Sequence, residues 1–319
     1  MPISIRSFAK INLGLYIGAL RADGFHELRT VYQTIALHDR ICVQVGRGTG
    51  IEVQCEDPRV PRDESNTCYR IAELAMSTLK ASGRVVIEIE KKLPVQGGLG
   101  GASGNAVAVL LALEHALKKP LTGPEKLKIA AEVGSDLPLF LIGGTVLGVG
   151  RGEEVYPLPD LPAIPCVVAT PEIAVSTPKA FADWDAIRGS GKLTAGDSSD
   201  RMNQFSRAIA AWLSVSGVPG KHGRGRAETP LLDLVRTGIE NDFEQVVFPQ
   251  YPALREVKSA LERAGAFYAS LSGSGSATYG LFRSREAAKK AAARLVKNGT
   301  PAVATTTLTR RQYSDNIFD

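Results

Sequence analysis

A chain of 319 residues, 44% hydrophobic and 22% charged, has material for a sizeable core and about two domains, which excludes a disordered or fibrous protein. A net charge of +5 and an isoelectric point near 9.0 suit an anionic small ligand and do not by themselves argue for nucleic acid. Cys42, Cys55, Cys68 and Cys166 show no C-x-x-C spacing, so neither a zinc site nor a redox pair is indicated, and free thiols suit a reducing cytoplasm. The opening MPISIRSFAKINLGL lacks the apolar run of a signal peptide, and no apolar stretch reaches the ~20 residues of a membrane span.

In chain order, residues 3–17 read as two strands broken near Ala9-Lys10. Lys10 and Asn12 sit among Phe8, Ala9, Ile11, Leu13 and Leu15. A lysine in such company is either an edge residue that discourages aggregation or a cation held by a partner. Asp23-Gly24 is a turn signal that presents Phe25 and His26 at the start of a strand over 28–36. Two readings stand side by side: Phe25 and His26 stack on and hydrogen-bond a flat ring, or Phe25 is core and His26 exposed. Short strands follow at 41–46 and 51–54, then a polar loop at 57–66. Asn66 leads into a helix with Ile71, Leu74, Ala75 and Leu79 on one face.

A strand over 85–90 delivers the chain to Lys92–Ala106, which holds five glycines in the eight residues from Gly97 to Gly104. An apolar helical run with Val107, Leu110, Leu111 and Leu117 follows. Glycines let the backbone approach a ligand, and N–H groups converging at a helix start hold phosphate. The plain alternative is a glycine-rich turn. No G-K-[ST] follows the glycines, so this is not the common P-loop. Lys118, Lys119 and Pro120 suit the helix end, and Thr122-x-x-Glu125 is a capping box whose helix stops at Gly134. Asp136, in Gly134-Ser135-Asp136-Leu137-Pro138, is either the N-cap of a short helix or a carboxylate facing the phosphate loop. Gly143-Gly144 opens a strand, and Gly150-Arg151-Gly152-Glu153 is a turn before 155–158.

A second region starts near Asp160, with a strand at 163–169 and a helix entered through Ser176-Thr177-Pro178. Residues 188–200 and 214–230 are rich in Gly, Ser and charge. The run with Lys221, His222, Arg224 and Arg226 reads as a solvated loop rather than an RNA-binding arm, because no aromatics are interleaved. Leu254, Val257, Leu261 and Ala264 mark a helix ending at Gly265. A strand, the loop Ser272-Gly273-Ser274-Gly275-Ser276, a strand at 277–282, a helix at 284–298 and a strand at 302–308 finish the chain. That order, with the strand at 163, is similar to a ferredoxin-like α+β sandwich. The expected division is 1–159 and 160–319, with the last ten or so residues free to pack on the first domain.

Four stretches together resemble the GHMP kinases: Ala9-Lys10-Ile11-Asn12, the loop 94–106, Gly134-Ser135-Asp136-Leu137-Pro138 and Ser272-Gly273-Ser274-Gly275. Arg21-x-Asp23-Gly24-Phe25-His26-Glu27-Leu28, Gly150-x-Gly152-Glu153 and Asn241-Asp242-Phe243-Glu244 narrow the likeness to the branch acting on cytidine diphosphate methylerythritol in isoprenoid synthesis. The resemblance implies an α+β, two-domain GHMP kinase fold, with a ribosomal-S5-domain-2-like nucleotide domain first and a ferredoxin-like domain second. It implies Asp136 as the base that takes the substrate hydroxyl's proton, with Lys10 beside it. It implies that Asn66, Pro94, Gly97, Gly98, Leu99, Gly100, Gly101, Ala102, Ser103 and Asn105 hold ATP. It implies that Asn12, Phe25, His26, Thr177, Phe181 and Ser274 contact substrate, with Phe181 stacking on the other face of the cytosine that Phe25 and His26 hold. Mg2+ would arrive on ATP, with no protein side chain assigned to it. The implied partners are ATP and the small-molecule substrate, without nucleic acid or membrane, and the protein would be a cytoplasmic monomer or weak homodimer.

This chain departs from the family pattern at Gln96, where Gly is usual, at Gly104, where a second Ser is usual, and at Phe25, where Tyr is usual. The insert 214–230 is also longer than the pattern suggests. Two alternatives remain at this point. One is a GHMP kinase for another small alcohol, homoserine- or mevalonate-like, against which the Phe25-His26 and Phe181 aromatics count. The other is a catalytically silent ligand-binding regulator, against which retention of both Lys10 and Asp136 counts.

Overall fold

Two long antiparallel strands, β1 (Ile3–Leu20) and β2 (His26–Gly46), run through the middle of the molecule. The computed structural model describes residues 2–189, 195–216 and 239–318; the basic run with Lys221, His222, Arg224 and Arg226 lies outside the described residues. The two strands expected in 3–17 are one strand of 18 residues. The expected break is instead a register shift between Phe8 and Ala9, a bulge that bends the strand without ending its pairing. The strands expected at 28–36 and 41–46 are likewise one. One edge of β2 pairs with β1; the other pairs with β5 (Thr145–Val149) along Thr30–Gln33 and with β4 (Arg84–Glu90) along Arg40–Gly46. With β3 (Ile51–Cys55) and β6 (Glu154–Pro157), these strands form a six-stranded sheet.

Helices α1 (Thr67–Thr78) and α2 (Gly101–Leu117) cover that sheet, burying Ile71, Ala75, Val109 and Leu113 against Ile41, Val43 and Ile87. Asn66 caps α1 as its side chain accepts from the Cys68 N–H at 2.8 Å. The Thr122 capping box starts α3 (Gly123–Val133) as read. Asp136 occupies the N-cap position of the one-turn α4 (Leu137–Phe140), yet its side chain makes no capping bond.

In the second sheet β7 (Pro165–Ala169), β8 (Tyr268–Leu271), β9 (Thr278–Leu281) and β10 (Ala302–Thr306) lie in the antiparallel order β10-β7-β9-β8, the ferredoxin-like arrangement. Behind it pack the helices Pro252–Arg263 and Arg285–Lys297, through Leu261 and Leu295 among others. Strand β1 belongs to both halves. Its Ala9, Ile11 and Leu13 pack with Val168, Tyr279 and Leu281, and the Tyr279 hydroxyl donates to the Asn12 carbonyl at 2.7 Å. The Gly-, Ser- and charge-rich run at 188–200 is partly helical: α5 (Thr177–Gly189) ends there and α6 (Ala195–Ser216) begins. Met202, Phe205 and Ile209 of α6 are buried at helical spacing against the core that β1 lines. At the C-terminus Tyr313 donates to the Phe140 carbonyl at 2.6 Å, and the Ile317 carbonyl accepts from the Arg6 N–H at 2.8 Å.

Asp242 ties α6 to β1. One carboxylate oxygen accepts from the Ile17 N–H at 2.8 Å, and the other accepts from Arg201. Burial pushes its carboxyl up to about 6, against the opposing pull of the Arg201 guanidinium. Between the unfolded value of 3.8 and about 6 the native state therefore holds more protons than the unfolded chain. Over that window stability falls as pH rises. Asp242→Asn should remove this component, so that denaturant unfolding of wild type and variant at pH 4, 5, 6 and 7 diverges across the window. A constant difference between them would refute the assignment.

Candidate active site

The glycine loop owes its shape to contacts on three sides. On one side, the Leu99 carbonyl accepts from the Lys10 N–H at 2.9 Å, fastening the loop to β1. On another, Ser272 donates to the Gly98 carbonyl at 2.9 Å and the Ala277 N–H donates to the Gly97 carbonyl at 3.1 Å. The approach is so close that a Cβ on Gly98 would stand 2.1 Å from the Ser272 carbonyl oxygen. Gly100, the N-cap of α2, has φ +69°, and a Cβ there would meet Phe140 at 2.8 Å and the Lys10 stem at 3.0 Å.

The third side is Asp39, fully buried at the middle of β2. Its oxygens accept from the Lys92 and Leu93 N–H groups at 2.7 Å each, from Lys91 Nζ at 2.6 Å and from Asn105 Nδ2 at 3.0 Å. This hub was missed from sequence. Residues 37–40 fall between the expected strands 28–36 and 41–46, and nothing local marks Asp39 as the partner of residues more than fifty positions away.

The family departures have physical readings here. Gln96 takes the left-handed φ of +59°, where glycine is usual, at a cost of about 1 kcal/mol. Gly104 lies where a Cβ would stand 2.9 Å from Ser7 Oγ and 3.0 Å from the Phe8 carbonyl, so a serine there would require Ser7 to turn and β1 to shift by a few tenths of an ångström.

Two cavities meet at this loop. The first, about 350 Å³, is lined by Val60, Asn66, Pro94, the backbone from Gly97 to Ser103, and Asn105. Asn66 and Asn105 both reach it with their side chains already engaged: Asn66 caps α1 and donates to the Pro61 carbonyl, and Asn105 donates to Asp39. Asn105 Oδ1 is buried without a partner. The second cavity, about 690 Å³, is lined by Lys10, Asn12, Phe25, His26, Asp136, Thr177, Phe181, Ser274 and Arg151, and Gly98 borders both.

Within the second cavity, Lys10 and Asp136 face each other, with Lys10 Nζ 3.3 Å from Asp136 Oδ2, although 126 positions separate them in the chain. Lys10 is buried, not an edge residue. Lys10 and Asn12, two apart on β1, fall on the same face of the strand, and Lys10 Nζ donates to Asn12 Oδ1 at 2.7 Å. Asn12 in turn donates to Thr30 at 2.8 Å. Tyr32, also missed from sequence, donates its hydroxyl to Asp136 Oδ1 at 3.0 Å. Thr177 and Ser274 hydroxyls are bonded at 2.7 Å. Asn241 and Glu244 hold the serine loop from behind: Asn241 donates to the Leu271 and Gly273 carbonyls at 2.8 Å, and Glu244 accepts from the Leu271 N–H at 2.9 Å.

The plain reading of Phe25 and His26 is inverted: Phe25 is 51% exposed and His26 is buried. His26 Nε2 lies 3.3 Å from Asp185 Oδ2 and Nδ1 lies 3.4 Å from the Gly18 carbonyl. Phe181 is stacked directly on His26, with centroids 5.2 Å apart and planes at 4°. Those two rings are in direct contact, and Phe25, His26 and Phe181 line the same cavity. Arg151 lies over the exposed Phe25 ring, 4.9 Å from its centroid.

A glycine loop at a helix N-terminus, opening onto a cavity with a buried lysine–carboxylate pair, has the parts of a small-molecule phosphotransferase. The GHMP kinases N terminal domain matches residues 66–144, and the GHMP kinases C terminal matches residues 228–300. The chain is 40% identical over 283 residues to the 4-diphosphocytidyl-2-C-methyl-D-erythritol kinase of Solibacter usitatus (strain Ellin6076), covering 89% of this chain and 82% of the relative. A crystal structure of 4-(cytidine 5'-diphospho)-2C-methyl-D-erythritol kinase superposes with TM-score 0.71 at 31% identity, covering 96% of this chain and 99% of that one. Homoserine kinase from Cytophaga hutchinsonii superposes with TM-score 0.70 at 21% identity over 97% of this chain and 95% of its own, which shows the shared fold alone. The chain is thus an ATP-using small-molecule kinase of the GHMP class. It belongs to the 4-diphosphocytidyl-2-C-methyl-D-erythritol kinase family.

Proposed function

We propose that this chain transfers the γ-phosphoryl group of ATP to the 2-hydroxyl of 4-diphosphocytidyl-2-C-methyl-D-erythritol, a step of non-mevalonate isoprenoid synthesis, in the cytoplasm. The observation that carries the mechanism is the Lys10–Asp136 pair, 3.3 Å apart in a cavity that touches the glycine loop at Gly98. Phosphoryl transfer needs positioning and charge neutralisation more than covalent chemistry. The N–H groups of the loop and the positive end of α2 hold the ATP phosphates. Asp136, a third exposed toward the cavity, accepts the substrate hydroxyl's proton. Lys10, held by Asn12, steadies that hydroxyl and the charge that develops on it.

Magnesium, when bound, neutralises the phosphate charge. No helix among the described residues is long and apolar enough to cross a membrane. The proposed division at 159/160 puts Lys10, the loop and Asp136 in the first domain, and Thr177, Phe181 and Ser274 in the second.

The cytosine lies beside the exposed Phe25, with the His26–Phe181 stack as the wall of its subsite. Phe25 keeps a stacking face without the usual tyrosine hydroxyl. Homoserine and mevalonate carry no base for these rings. Coupled ATP-turnover assays with the cytidine compound, homoserine and mevalonate test the reading directly, and comparable kcat/KM for all three would defeat it. His26→Ala should raise KM for the cytidine compound by roughly tenfold, the worth of one aromatic contact in the wall of the subsite, while leaving KM for ATP in place. An equal rise for both substrates would return His26 to a purely structural role.

A further inference from the structure

Tyr32 is buried, paired opposite Asn12 across the β1–β2 ladder, and points its hydroxyl out of the core at the carboxylate of Asp136. The turn carrying Gly150-Arg151-Gly152-Glu153 is built around this one side chain. A Cβ on Gly148 would stand 2.5 Å from the Tyr32 ring edge, and a Cβ on Gly152 would stand 2.5 Å from its hydroxyl. The turn is itself fixed: the Leu28 N–H donates to the Gly150 carbonyl at 2.6 Å, and Glu153 accepts from the Arg151 N–H at 2.6 Å and from Arg151 Nε at 2.9 Å. The turn thus has a task that phosphate and base binding do not explain.

We infer that Tyr32 is a positioning residue for the reaction: clamped by the Gly148–Gly152 turn, its hydroxyl holds Asp136 Oδ1 so that Oδ2 stays turned toward Lys10 and the substrate hydroxyl. This rests on the reading of Asp136 as the base. The geometry divides the carboxylate between two donors. Oδ1, at 3.0 Å from Tyr32, is occupied, and Oδ2, at 3.3 Å from Lys10 Nζ, is the oxygen left for the proton. Asp136 makes no capping bond to α4, so its carboxylate is oriented by Tyr32 on Oδ1 and Lys10 on Oδ2, and removing the Tyr32 hydroxyl leaves the Lys10 contact alone to set its rotation. Misplacement of a reacting group by about 1 Å costs on the order of a hundredfold.

Tyr32→Phe keeps the ring and removes the donor. Its kcat should fall by roughly 10- to 100-fold with little change in KM for either substrate or in the denaturant midpoint. The acidic limb of the kcat profile should also move to higher pH, because a carboxylate that loses an O–H donor takes its proton more readily. The charged groups around it remain Lys10 from β1, Arg151 lining the same cavity, and Glu153 near the Tyr32 ring. A merely structural tyrosine would change stability and leave that limb in place. Gly152→Ala, which crowds the hydroxyl and also strains the backbone at φ +100°, should lower kcat in the wild type and, with the crowding part removed, lower it less in the Tyr32→Phe background. An unchanged kcat and pH limb in Tyr32→Phe, with Asp136→Asn still inactive, overturns the inference while sparing the base. An active Asp136→Asn overturns both. A Gly152→Ala cost that is undiminished in the Phe background overturns the role given to the turn.

Discussion

Asp136→Asn should lower kcat by about 10²- to 10⁴-fold while leaving KM for both substrates nearly unchanged. Asparagine keeps the shape of the side chain and can still accept from the Tyr32 hydroxyl, but it cannot take the proton of the substrate alcohol. The same substitution separates the two roles that the sequence allowed. Asparagine is as good an N-cap as aspartate, so an N-cap role predicts full activity and full stability. The absence of any capping bond from the Asp136 side chain already sets the local role aside. Lys10→Met should also lower kcat, and the double variant should cost less than the sum of the singles, since residues acting as one unit are not additive. Near-wild-type turnover in Asp136→Asn, measured with saturating ATP and the cytidine compound, would remove the carboxylate from the mechanism.

The legible part of this site was whatever short spacing carries. Five glycines in eight residues between a strand and a helix need a backbone that approaches its ligand closely, and the loop lies where that requires, with Gly98 and Gly100 at positive φ. The Asp23-Gly24 turn and the Thr122 capping box are local bonding patterns, and both are present. The illegible part lies in long-range geometry. Neither the lysine at 10 nor the aspartate at 136 reveals from its neighbours that a bulged strand and a one-turn helix bring them together. The contact between Tyr32 and Asp136 spans 104 positions, and a tyrosine beside Val31 in a strand looks like core. The break expected at Ala9-Lys10 was the trace of the bulge between Phe8 and Ala9, read as an end because a bulge and a break disturb the same alternation. The helix at 195–216 did carry a signal, Met202, Phe205 and Ile209 at helical spacing, which the surrounding polar composition masked.

The second large effect is expected at Asp39, far from any reacting atom. Asp39→Ala should cost about 3–5 kcal/mol of stability, the usual cost of stripping one partner from a buried ion pair. Lys91 would keep its charge in a site where its side chain is only 10% exposed, and the Lys92 and Leu93 N–H groups would lose their acceptor at the entrance to the glycine loop. The loop itself should loosen, because Lys91 Nζ lies 3.2 Å from where a Cβ on Gly101 would stand, at the first residue of α2. KM for ATP should therefore rise together with the fall in the urea midpoint. Asp39→Asn should cost less than alanine. Its carbonyl oxygen can still accept from the two backbone N–H groups, and its NH₂ would then face Asn105. That residue has an unpartnered Oδ1 and can turn its amide to accept. Lys91 is the one partner that asparagine cannot satisfy, so the gap between the two variants measures the backbone and Asn105 contacts together, and the residual loss in Asp39→Asn measures the ion pair. If both variants unfold at the wild-type urea concentration and bind ATP as the wild type does, Asp39 does not hold the loop, and the order of the phosphate site must come from its contacts with β1 and the serine loop alone.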